Sequence, residues 1–214
     1  FALDCLLASE AQGSIISADI DRNISLRIAE FDDRSRLPWA GHLGLNLLRP
    51  VSQDLKQNQT TLLFTNTRNQ AEHWFQALSI VRKDLKIALH HGSLAKINRE
   101  EVELALKEGS IDLVVATSAL DLGVDFQAVE RIIQVGSPRS VSRLIQRAGR
   151  ASHRPGVGTD VLLVPTNRLH LNEYAALADA LEGYSLIDLI DLKPYFHGTT
   201  RRIGAPFWFG SGLP

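Results

Sequence analysis

Five short apolar runs, spaced by helix-length segments, constrain this chain more than any other feature. They are Leu62–Phe64, Ile87–Leu89, Leu113–Ala116, Ile132–Val135 and Val161–Val164. Each reads as continuously apolar rather than alternating, the pattern of strands covered on both faces. Between them lie amphipathic helical stripes. Ala71, Trp74, Phe75, Leu78 and Val81 share one helical face. Leu94, Ile97, Val102, Ala105 and Leu106 form a second stripe, closed by Gly109, and Tyr174, Leu177, Ala178 and Leu181 a third, closed by Gly183. Strands alternating with helices predict an α/β fold: a parallel sheet joined by right-handed crossovers, with helices on both faces.

The flanks read differently. Ile15–Ile16 and Ile24–Ile28 are candidate short strands in a segment dominated by charge and turn residues. Residues 1–38 are therefore read as a connector from an upstream domain, and residues 39–185 as the α/β lobe. Residues 41–57 predict a helix in which Pro50 either makes a kink or starts the second half. From Pro194 onward no period is visible, so residues 186–214 are read as a truncated or irregular tail. The chain starts at Phe1 and contains no methionine, which predicts a piece of a longer polypeptide.

Net charge is −1, so bulk charge does not argue for nucleic-acid binding and any basic surface must be local. The single cysteine, Cys5, forms no internal disulfide and fits a reducing compartment, the cytoplasm. No apolar run approaches the roughly 20 residues of a membrane span, so no membrane partner is expected.

The local basic surface is at Val141–Arg150. Val141, Leu144, Ile145 and Ala148 make an apolar stripe at i, i+3, i+4 and i+7. Arg143, Gln146, Arg147 and Arg150 repeat that spacing two residues out of phase, about 200° around the helix. The expected arrangement is a buried stripe with guanidinium groups opposite it, and no Asp or Glu occurs between Val141 and His153. An anion such as phosphate suits the planar donors of Arg. The alternative is a solvent-facing basic helix.

Three further segments carry polar groups at strand ends. In Leu62–Arg68 a strand runs into Thr65, Asn66, Thr67 and Arg68, where hydroxyl, amide and helix-start N–H groups suit a phosphate oxygen. The alternative is an ordinary N-cap by Asn66 or Thr67. Thr117 and Ser118 follow the Leu113–Ala116 run, and Gly123 allows close backbone approach. The alternative there is a capped turn, with Asp121 and Asp125 as solvated charges. His90-His91-Gly92-Ser93 follows another strand. Adjacent histidines do not share a helix face and no Cys/His cluster accompanies them, so no metal site is expected.

In combination these segments resemble known motifs. Gln146-Arg-Ala-Gly-Arg150 resembles motif six of superfamily-two helicases. The resemblance implies arginine fingers at Arg147 and Arg150, with Gln146 near the γ-phosphate. His153 stands where many relatives carry another Arg, as in the large helicase-related branch. Ala116–Phe126 resembles motif five, which implies a nucleic-acid backbone contact by Thr117, with Ser118 beside it, and a nucleotide contact by Gly123 and Asp125. Leu62–Arg68 resembles motif four, with Thr65, Asn66 and Arg68 as nucleic-acid contacts. His91, Gly92 and Ser93 match a segment that meets a strand phosphate through backbone N–H groups. With Leu37–Gly44 and Gly136–Arg139 added, roughly residues 37–182 are most similar to the DNA-ligase-associated DEXH-box helicases of bacteria.

That resemblance implies a RecA-like lobe of the P-loop NTPase type, the second of two. No Gly-x-x-x-x-Gly-Lys-[Ser/Thr] and no Asp-Glu-x-His occurs in the chain. ATP, with Mg2+, is therefore expected on a first lobe that the chain lacks, and the chain alone is expected to be inactive. The implied partners are single-stranded or tailed duplex DNA, that first lobe in cis, and a DNA ligase and nuclease in repair. Two alternatives stand beside this reading: an RNA helicase lobe and a non-catalytic nucleic-acid-binding module.

Overall fold

A computed structural model describes residues 24–30, 37–39, 43–120, 129–151 and 159–181. Its strands are β1 (Ile24–Ile28), β2 (Thr61–Phe64), β3 (Ile87–His90), β4 (Leu113–Ala116), β5 (Arg131–Val135) and β6 (Thr159–Val164). Its helices are α1 (Leu48–Asp54), α2 (Arg68–Val81), α3 (Lys96–Lys107), α4 (Val141–Ala148) and α5 (Arg168–Leu181). The strands form one six-stranded sheet in the order β1-β6-β5-β2-β4-β3, and every pairing is parallel.

All five apolar runs are strands. The reason lies in the layers. Leu62, Phe64, Val114, Ile132 and Val161 meet α3, α4 and α5 on one face. Leu63, Val115, Ile133, Leu162 and Val164 meet α1 and α2 on the other. A strand covered twice must be apolar at every position. The sixth strand, β1, falls inside the segment read as a connector. It pairs with β6 at the sheet's edge, where only alternate residues such as Ile24 and Leu26 are buried.

The helix starts follow local chemistry. Thr67 caps α2, its hydroxyl accepting from the Gln70 N–H at 3.1 Å, which decides between the two capping candidates. The expected long helix over residues 41–57 is shorter than its pattern: Gly44 takes a left-handed φ of 80°, one 3-10 turn follows, and Pro50 sits in the first turn of α1. In α3, Gly109 at φ 64° closes the helix as expected, but Ile97, placed on the buried stripe, is exposed. The stripe there narrows to Val102, Ala105 and Leu106, because α3 covers the sheet's outer strands, where one edge faces solvent.

At the strand-start end, four charged residues lock β1, β5, β6 and α1 together. Asp160 accepts from Arg27 at 2.8 and 2.9 Å and faces Arg131 Nε at 2.8 Å. Asp54 accepts from Arg131 at 2.7 Å and from Arg27 at 3.2 Å. The Asp160 hydrogen bonds raise the Arg27 pKa above its ordinary value, against the opposing effect of burial.

Candidate nucleotide and nucleic-acid site

Because all strands run one way, the loops that follow them share one edge. That edge collects Thr65–Arg68 after β2, His91–Ser93 after β3, Thr117–Ser118 after β4 and Gly136–Ser140 after β5. Residues as far apart in sequence as Asn66 and Ser137, 71 positions, thus collapse into a single rim. Arg68 donates to the Ser93 hydroxyl at 2.6 Å, a direct link between two of the expected nucleic-acid contacts. Thr117 is half-buried, its N–H donating to the His90 carbonyl at 3.2 Å, and Ser118 is exposed at the start of a 3-10 turn.

Some expected contacts point inward. Thr65 is buried, and its hydroxyl lies 3.2 Å from the Thr67 carbonyl and 3.3 Å from that of Ala116. One hydroxyl hydrogen serves those two acceptors, so the side chain expected at nucleic acid instead holds the turn. His91 is buried as well. Its Nδ1 accepts from the Ser93 N–H at 3.3 Å, and its Nε2 lies 3.3 Å from Glu72, without hydrogen-bond geometry. Gly92 is the opposite case: a Cβ built there would meet nothing within 4 Å. The Asn66 amide donates to the Ser137 carbonyl at 2.8 Å, tying the loop after β2 to the loop after β5. Gly123, Asp125 and His153 lie outside the described residues.

Helix α4 starts at this rim, with the Ser140 hydroxyl accepting from Arg143 N–H at 3.2 Å. Leu144 and Ala148 are buried, as expected, and Gln146 is exposed. Arg147 corrects the arrangement expected of this helix. Only 1% of it is exposed; it donates to the Gln134 side-chain oxygen, and its guanidinium carbon lies 4.5 Å over the Phe64 ring. The helical wheel explains this. Arg147 is three residues past Leu144, about 60° from it around the axis, so it stands at the border of the apolar stripe rather than opposite it. Arg150 sits just past α4, in a turn closed by its own N–H donating to the Arg147 carbonyl at 3.0 Å. It precedes Ala151, which bridges to Val129 ahead of β5. The rim and Arg150 therefore stand at opposite ends of α4, about 12 Å by helical rise.

Four residues at the site were not singled out from sequence. Gln134 is fully buried, and its polar interruption of the run Ile132–Val135 was the legible signal. Phe64 was read only as strand. Tyr174 donates to the Gly136 carbonyl at 3.1 Å. His170 accepts from the Thr166 N–H at 3.2 Å, and burial lowers its pKa below the ordinary 6.5. Among the described residues, no group of three metal-binding side chains occurs, and no helix is long and apolar enough to cross a membrane.

A doubly covered parallel sheet with its polar loops at the strand ends and an arginine helix crossing one face defines a RecA-like lobe. The helicase conserved C-terminal domain family matches residues 45–156, just over half of the chain, and the chain belongs to that family. It is 38% identical over 136 residues to the ATP-dependent helicase Lhr-Core of Methanocaldococcus jannaschii, spanning 62% of this chain and 15% of that protein. It is 37% identical over 131 residues to the Lhr helicase/uracil glycosylase of Escherichia coli, spanning 61% of this chain and 8% of that one. The structure of Mycobacterium smegmatis helicase Lhr bound to ssDNA and AMP-PNP superposes with a TM-score of 0.68 at 27% identity, over 86% of this chain and 25% of that chain. The C-terminal domain of the DEAD-box protein Dbp5 shares the fold at 14% identity and a TM-score of 0.56, covering 78% of this chain and 89% of that one.

Proposed function

We propose that this chain is the second motor lobe of an ATP-dependent DNA helicase. The observation that carries the proposal is the division of α4: it begins at a rim of strand-end loops, and its last turn carries Gln146 and leads to Arg150. The rim suits a sugar-phosphate backbone, because it offers the Gly92–Ser93 main chain, the Arg68–Ser93 pair, Thr117 and Ser118. Asn66, Thr65 and His91 hold those loops from beneath. The far end suits a polyphosphate, because Val141–Ala151 contains guanidinium and amide donors and no carboxylate.

ATP supplies the phosphoryl group whose transfer to water drives the motor. In this reading a first lobe holds it together with Mg2+, Arg150 neutralises charge developing on its phosphates, and Gln146 and Arg147 support that role. Gly123 and Asp125 are assigned to the nucleotide by motif alone. The DNA preference draws on the M. smegmatis relative, whose structure contains ssDNA. A role in repair beside a ligase and nuclease, in the cytoplasm, belongs to the same proposal.

The test is Arg150→Ala in the full-length enzyme. ssDNA-stimulated ATP hydrolysis should fall about 10³-fold, the usual weight of an arginine finger, with ATP binding retained. Unchanged turnover refutes the assignment. The isolated 214-residue chain should show negligible Mg2+-dependent turnover.

A further inference from the structure

Gln134 is an amide in the centre of an apolar sheet, flanked along β5 by Ile133 and Val135. A buried amide is costly unless every polar atom is satisfied. Here all are. Its Nε2 donates to the carbonyls of Val135 at 3.0 Å and Gly136 at 3.1 Å, and its oxygen accepts from Arg147. The amide has one workable orientation. Carbonyls only accept and a guanidinium only donates, so exchanging the amide's O and N would break every contact.

Phe64 completes the cradle. It is the register partner of Gln134 across β2 and β5, so both side chains project from the same face. Side chains on a helix lean toward its N-terminus. The Arg147 guanidinium therefore reaches back toward the strand ends, where it lies over the ring and donates to the amide oxygen.

The same amide grips the turn that launches α4. The Gly136 carbonyl accepts from Gln134 and also from Tyr174 on α5. One residue on, the Ser137 carbonyl accepts from Asn66 at the rim. Helix α4 is thus fixed at both ends of its reach: its first turn through Gly136–Ser140, its last through Arg147. Gln134 bonds to both, to the Gly136 carbonyl and to Arg147.

We propose that Gln134 is a positioning residue for the arginine helix, seating Arg147 inside the lobe and so setting where Gln146 and Arg150 stand. The proposal rests on the reading of α4 as the phosphate-facing element. It also supplies a route by which a backbone bound at the Asn66 rim bears on the far end of the helix.

The test uses Gln134→Leu and Gln134→Glu in the full-length enzyme, assayed well below their measured melting temperatures. For Gln134→Leu, kcat of ssDNA-stimulated hydrolysis should fall about tenfold or more, as misplacement of a charge-stabilising group does, with KM for ATP and Kd for ssDNA within about twofold of wild type. Hydrogen exchange over residues 141–150 should quicken, a readout independent of turnover. Gln134→Glu keeps an acceptor for Arg147 but sets an oxygen against the Val135 and Gly136 carbonyls. It should lose less turnover, with faster exchange confined to residues 136–140. A lowered melting temperature with unchanged kcat and unchanged exchange over 141–150 overturns the proposal. Wild-type enzyme without ssDNA-stimulated hydrolysis overturns the motor reading itself, and this inference with it.

Discussion

The two ends of the sheet treat their polar groups in opposite ways. At the strand-start end, Arg27, Arg131, Asp54 and Asp160 bond to one another, and two cations meet two anions. At the strand-end rim, side chains mostly bond to backbone. Asn66 holds Ser137, Tyr174 holds Gly136, and Thr65 holds its own turn. An ion-pair lock saturates itself and offers little to a ligand. Side chains spent on shaping loops leave main-chain N–H groups and small residues at the surface, and those groups suit phosphate. Left-handed non-glycine backbone occurs at both ends: Arg139 at the rim has a φ of 67°, and Asn58, ahead of β2, a φ of 56°. One end bonds its charged groups to one another, and the other spends its side chains on the shape of its loops.

Substitutions at the two ends should separate accordingly. The largest effect is expected where the rim itself is tightly packed. A Cβ at Gly44 would lie 2.8 Å from the Thr166 methyl, at a φ of 80°. Gly44→Ala should cost about 2 kcal/mol in denaturant unfolding, from the steric contact plus the left-handed backbone. Next is Asp160→Asn, which leaves Arg27 and Arg131 short of an anion. With these side chains about a quarter exposed or less, the loss should be about 1 kcal/mol, reduced by salt, with ssDNA affinity unchanged. An equal loss of affinity would erase the contrast between the ends.

Gly92→Ala should do the reverse. It meets no neighbour in the lobe, so the melting temperature should hold while ssDNA affinity falls about threefold, because a methyl group keeps a phosphate from the backbone. The smallest effect is a pH dependence at His170. Burial lowers its folded-state pKa, so the unfolded chain binds the proton more tightly. Its contribution is intact above the ordinary value of 6.5 and is lost as pH falls from there toward the lower folded value. Replacing it with Gln should flatten that part of the stability profile in urea titrations at successive pH values.

Most of the fold was legible because doubly covered strands are apolar without interruption. β1 was harder to read because an edge strand alternates, and charge dominates its surroundings. The rim was legible because polar groups directly after apolar runs mark strand ends in a parallel sheet. Which of those groups face outward was not. Thr65, His91 and Arg147 are buried by contacts with residues that no local pattern pairs with them, such as Ala116, Glu72 and Gln134. The arithmetic of α4 placed Arg147 with Arg143 and Arg150, but a residue about 60° from Leu144 goes where a partner waits, and that partner lies on another element.

If the strand-end rim is the nucleic-acid surface and the strand-start end is not, DNA should protect the first and leave the second unchanged. Hydrogen exchange of the full-length enzyme with and without a 3′-tailed DNA tests this most directly. Slowed exchange on DNA binding is expected within residues 65–68, 91–94 and 117–118, with none within residues 54–60, 129–131 and 159–160. Protection of the Arg27–Asp54–Arg131–Asp160 end, with the rim unchanged, would contradict the account.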